Sequence, residues 1–130
     1  MKNDKDEKKS LRILAASDFH GLEIVPRDLA KKAEKEKVDL VVIAGDVLNF
    51  GEYAKNMIKP FADRKMPVLF VPGNHDPPEA VEDFVHIYHV KNINGSYAVV
   101  RDVGFFGSGG TTQMPHFPFF VSVKDTYYTL

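Results

Sequence analysis

The sequence predicts an α/β domain made of strand–helix–strand units with parallel strands, followed by an antiparallel hairpin. Three observations predict it. Short apolar runs at 11–16, 38–44 and 67–71 each stop at a polar cluster rich in Asp, Gly or Asn. Amphipathic stretches separate the runs, as crossover helices separate the strands of a parallel sheet. After residue 95 the pattern becomes two five-residue runs on either side of Arg101-Asp102.

Taken in order, Met1 to Ser10 is a mixed-charge stretch with no apolar segment, which reads as a disordered, solvated tail rather than a secretory leader. Leu11 to Ala16 suits a buried strand. Pro26 fits the first turn of a helix. Val25, Leu29 and Ala33 recur every four residues, which carries an amphipathic helix to about Lys37. Val38 to Ala44 is a second buried strand, stopped by Gly45-Asp46. Tyr53, Ala54, Met57, Ile58 and Phe61 share one helical face, and Pro60 inside that pattern is expected to kink the helix or end it early. Pro67 to Val71 is the third strand.

Pro77-Pro78 then opens a third helix through about Val85. Asp76 is expected near its N-cap, where a carboxylate suits the free N–H groups. Ser96–Val100 and Val103–Gly107 form the hairpin. From Thr111 the chain reads as loop, with Pro115, Pro118 and the aromatics Phe117, Phe119 and Phe120. No linker divides it, so residues 11–130 are expected to form one domain.

Composition narrows the function. The chain has 130 residues and is 44% hydrophobic, enough for one cored domain. Lys and Arg number 17 and Asp and Glu 18, so the net charge is −1. That balance predicts neither nucleic acid nor an anionic membrane as a partner. No run reaches the roughly 18 apolar residues of a membrane span, and a cytoplasmic protein is expected. The absence of cysteine excludes disulfides, thiolate metal sites and cysteine nucleophiles.

Three predicted strand ends carry polar clusters: Asp18-Phe19-His20-Gly21, Gly45-Asp46 and Gly73-Asn74-His75-Asp76. In an open parallel sheet, ligands bind beyond the carboxyl ends of the strands. Alternate residues of an extended segment, Asp18 and His20, would point the same way and grip one ion. Asp46 has two oxygens and can bridge two ions, and Asn74 offers a neutral oxygen. Such ligands suit manganese, iron, zinc or nickel. Gly45 and Gly73 are expected to let the backbone turn sharply. Each cluster alone is also an ordinary turn signal; their order at three successive strand ends favours a metal site.

Together these blocks resemble the signature of the calcineurin-like metallophosphoesterases. Gly107-Ser108-Gly109-Gly110-Thr111 and its Pro-rich continuation look like the small prokaryotic members. The resemblance covers about Leu11 to Phe120. It implies a four-layer αββα sandwich of which this chain carries part. It implies that Asp18 and His20 bind a first metal, that Asp46 bridges two metals and that Asn74 binds the second. His75 would act near the leaving group as general acid or transition-state stabiliser, oriented by Asp76. The implied reaction is attack of a metal-bound hydroxide on phosphorus, in phosphomonoesters or phosphodiesters.

The family completes its site with later histidines, including a G-H-x-H block. This chain has five histidines, the last being His116, and no such block. The C-terminal half is therefore expected to be absent. The first metal keeps three ligands and the second two, so at most one ion should bind usefully. The uncovered half-sandwich should self-associate or pair with a missing C-terminal segment. The sequence leaves open a fragment, a split half or an inactive remnant.

His86 and His89 have metal-binding spacing but read as packing or surface residues, and His116 could reach the site from its loop. A non-catalytic metal-binding or interaction module is the competing function. A nucleotide-binding fold is disfavoured, because no G-x-G-x-x-G follows the first strand.

Overall fold

The computed structural model describes residues 10–49 and 56–110. Strands β1 (Ile13–Ala16), β2 (Leu40–Ala44), β3 (Val68–Val71) and β4 (Lys91–Asn92) form a parallel sheet in that order. Helix α1 (Ile24–Lys35) connects β1 to β2, α2 (Lys59–Ala62) precedes β3, and α3 (Pro78–Tyr88) connects β3 to β4. Strands β5 (Ser96–Val100) and β6 (Val103–Gly107) form a separate antiparallel hairpin.

Alternation along the strands builds a core on each side of the sheet. Val41, Ile43, Val68 and Phe70 pack with Ala30, Phe61, Ala80, Val81 and Phe84 on the helical side. Phe70 and Phe84 meet edge to face, with ring centroids 5.8 Å apart. Leu40, Val42, Leu69 and Val71 face the other way, onto Ile93, Ala98, Val100 and Phe105. The inner face of the hairpin therefore covers the second face of β2 and β3. Its outer face leaves Tyr97, Val99 and Phe106 exposed, with the Tyr97 and Phe106 rings 6.0 Å apart. Arg101 and Asp102 at the hairpin tip both have left-handed φ, as a two-residue turn between right-twisted strands requires. The Arg101 guanidinium donates to Asp39 Oδ1 at 2.7 Å, tying that tip to the entrance of β2.

Three expectations need correction. Pro60 does not kink a helix; it lies in the first turn of the four-residue α2, where its missing N–H leaves no bond unmade. Tyr53 and Ala54 lie outside the described residues. Helix α3 runs three residues past Val85, to Tyr88, and stops with His89 in a left-handed conformation. Its N-cap is Pro77 rather than Asp76, with no side-chain capping bond. Strand β4 went unpredicted because two residues carry no readable alternation. No helix among the described residues is long and apolar enough to cross a membrane. The charged tail and the loop from Thr111 lie outside those residues, apart from Ser10.

Candidate metal centre

Parallel pairing brings the C-terminal ends of β1, β2 and β3 to one sheet edge. The three segments that follow are fastened to one another. Past β1, the N–H groups of Asp18, His20 and Gly21 donate to the carbonyls of Gly45, Asp46 and Val47 at 2.9–3.0 Å. The first loop thus continues alongside the second beyond the regular sheet.

The reason expected for Asp18 and His20 sharing a direction was wrong, although they do meet. They do not lie on an extended segment. Asp18, His20 and Asp46 have φ of 59°, 46° and 53°. Left-handed backbone costs roughly 1–2 kcal/mol per residue, and Asp and His adopt it more readily than most. Strain of this kind concentrates at functional sites, and here it sits on three of the residues predicted to bind metal. His20 Nε2 lies 3.4 Å from Asp18 Oδ1. One ligand atom from each of Asp18, His20 and Asp46 falls within 4.8 Å of the others. A cation bound at about 2.1 Å needs donors roughly 3–4 Å apart, so this set fits one ion after a small contraction.

The Ser17 hydroxyl donates to Asp18 Oδ2, and that bond is the main cause holding the exposed Asp18 carboxyl below its usual value, aided by His20. Ser17 was not singled out by sequence reasoning, since a lone Ser before Asp carries no signal.

The third segment closes on the second. His75 donates its backbone N–H to Asp46 Oδ1 at 3.1 Å. The His75 ring packs edge-on against His20, with centroids 4.8 Å apart. Asp76 is 2% exposed. Its Oδ1 accepts from the Leu48 N–H and its Oδ2 from the Gly73 N–H, both at 2.9 Å. Burial is the largest influence on Asp76 and raises its carboxyl above the usual 3.8; the two N–H donors pull the other way.

Gly45 turns the chain with φ of +82°, as expected of it. Gly73 serves differently. It has no left-handed φ, but a Cβ there would lie 2.0 Å from Asp46 Oδ1 and 2.5 Å from the Asp46 nitrogen. Its role is close approach. Asn74 lines a cleft of about 290 Å³ together with Asp46, Pro72, Phe106 and the Gly107–Gly110 segment. That segment is anchored by Gly109 donating to Asn94 Oδ1 and Gly110 donating to the Pro72 carbonyl. Asn94 and Phe106 also escaped sequence reasoning, because their place depends on how the hairpin lies beside the sheet.

The structure thus brings Asp18, His20, Asp46 and His75 together, puts Asn74 on the adjoining cleft and buries Asp76 behind them. His86 is exposed on α3, His89 follows that helix, and neither joins a group of candidate ligands among the described residues. His116 lies outside the described residues.

The profile of the calcineurin-like phosphoesterases matches residues 11–128. The chain belongs to that family. Calcineurin-like phosphoesterases are metal-dependent, and the Asp18–His20–Asp46 group agrees with that chemistry. The parallel sheet with its separate hairpin corresponds to part of the family fold. The crystal structure of TT1561 of Thermus thermophilus superposes with a TM-score of 0.73 at 17% identity, over 92% of this chain and 60% of that one. A second crystal structure gives 0.68 at 16% identity, over 91% of this chain and 62% of its own. The present chain therefore spans about three-fifths of the length of these structural relatives. No curated protein matches it.

Proposed function

We propose that this chain carries the metal centre of a phosphoester hydrolase, with Asp18, His20 and Asp46 holding a divalent cation. The observation that carries this reading is the convergence of those three ligand atoms within 4.8 Å at the sheet edge. Carboxylate and imidazole donors suit manganese, iron, zinc or nickel. Among the described residues, Asp46 and Asn74 are the two protein ligands offered to a second ion, so one ion binds tightly and a second weakly. A bound cation would supply charge neutralisation at phosphoryl oxygens and a lowered pKa for water.

The remaining work falls to the chain's own groups. Asp46, fixed through the His75 N–H, keeps a carboxylate oriented between the two ligand sets. His75, packed on His20, passes a proton from a ring nitrogen to the leaving oxygen. Asp76 holds the turn from which His75 projects. The cleft beside Asn74 receives a phosphomonoester or phosphodiester. Self-association through the exposed outer face of the hairpin, and a cytoplasmic setting, belong to the same proposal.

Titration with Mn²⁺, followed by hydrolysis of a chromogenic phosphodiester on the same sample, tests it. Wild type should bind one ion tightly and turn over substrate. Asp46→Asn should lose about 10–100-fold or more in both. Tight binding without turnover would favour a non-catalytic metal-binding or interaction module. Two tight ions per chain would refute the single-ion argument, and no binding would refute the metal centre.

A further inference from the structure

The loop after β2 and the turn after β3 exchange carboxylates. Asp46, on the loop, accepts from the His75 N–H on the turn at 3.1 Å. Asp76, on the turn, reaches back and accepts from the Leu48 N–H on the loop at 2.9 Å. Its other oxygen accepts from the Gly73 N–H at 2.9 Å and closes the four-residue turn that carries Asn74 and His75. Between these bonds the two backbones touch: a Cβ on Gly45 would lie 2.7 Å from the Gly73 nitrogen. Neither segment can shift alone without breaking a bond or opening that contact.

Asp76 is the one charged side chain in the core among the described residues. A buried carboxylate is costly unless its oxygens are satisfied, and both of these oxygens accept backbone N–H groups from the segments that bear candidate ligands. We infer that Asp76 is a positioning residue that latches the Asp46 loop to the Asn74–His75 turn and so sets the geometry in which Asp46 meets a cation. This rests on the metal-centre reading above and adds a cause for its geometry. Asp76 itself contacts no substrate in this account. It acts on His75 through the backbone, by closing the turn at Gly73.

Groups that orient metal ligands from behind are worth about 10–100-fold in metal affinity. The test uses the whole chain and Zn²⁺, which is diamagnetic. Calorimetry reads affinity, amide exchange by NMR reads the latch, and urea unfolding reads stability. In Asp76→Asn the shape is kept, but an NH₂ group replaces one acceptor and faces an N–H donor. We expect faster exchange at Leu48 or Gly73 and Zn²⁺ affinity lower by about 10–100-fold. Phe84→Leu, in the helical core, should lower stability and leave Zn²⁺ affinity unchanged. In unmutated protein, Zn²⁺ should slow exchange at Leu48 and Gly73, because coupling between latch and site is reciprocal. That measurement holds even if Asp76→Asn does not fold.

Wild-type affinity in Asp76→Asn overturns the inference. So does an equal loss in Phe84→Leu, or exchange at Leu48 and Gly73 that ignores Zn²⁺. A wild-type chain that binds no Zn²⁺ overturns the metal-centre reading and this inference with it. That failure shows in the unmutated protein and is distinct from the others.

Discussion

Replacing Gly73 by Ala adds one methyl group at the tightest point of the site. The new Cβ would sit 2.0 Å from Asp46 Oδ1, 2.5 Å from the Asp46 nitrogen and 2.7 Å from its Cγ. A side-chain oxygen alone could rotate away, but a backbone nitrogen cannot. The end of β2 or the turn after β3 must therefore move by about an ångström. Overpacking of this kind typically costs about 1–3 kcal/mol. Because Gly73 has no left-handed φ, none of that cost is dihedral strain. The displaced atom belongs to the shared carboxylate, so metal affinity should fall by about 10–100-fold as well.

Gly95→Ala supplies a matched control. Gly95 has φ of +65° and nothing within 4 Å of an added Cβ. Alanine there costs about 1–2 kcal/mol of backbone strain and touches no ligand. Urea unfolding should show comparable losses in the two variants, while Zn²⁺ calorimetry should show a loss only in Gly73→Ala. Wild-type Zn²⁺ affinity in Gly73→Ala, or an equal drop in Gly95→Ala, would refute the argument that close approach at Gly73 sets the position of Asp46.

Two further outcomes follow from the packing and the charges. Phe84 is 1% exposed and meets Phe70 edge to face, so Phe84→Ala should cost about 3–5 kcal/mol in urea unfolding; a loss below about 1 kcal/mol would mean the helices do not close that face. Burial raises the Asp76 carboxyl above 3.8, so the metal-free folded chain holds this proton more tightly than the unfolded chain. Its contribution to stability is complete below about 3.8 and is lost as pH rises through the higher folded value. The stability difference between wild type and Asp76→Asn should therefore move against wild type across that window. A pH-independent difference would contradict the raised value.

By itself the sequence determined the parallel units and the hairpin, and it named the candidate ligands at three strand ends. Runs such as Leu40–Ala44 are short, apolar and rich in β-branched residues, the pattern of a strand buried on both faces, and their polar stops mark the strand ends. Local patterning suffices there because burial and backbone periodicity act over a few residues. Asp18, His20, Asp46 and His75 could be named because three strand ends were legible.

How they meet was decided only by the tertiary structure. The left-handed backbone at Asp18 and His20 is held by carbonyls of Gly45 and Asp46, more than two dozen residues away in sequence. The same holds for Asp76. Its place in the sequence, just before Pro77-Pro78, suggested a helix cap, yet its oxygens go to Leu48 and Gly73. A carboxylate takes whichever N–H groups folding brings within reach, and only the packed sheet puts the Leu48 N–H there. Gly73 shows the difference most directly: its lack of a side chain is plain in the sequence, but the reason for it is an oxygen contributed by the neighbouring strand's loop.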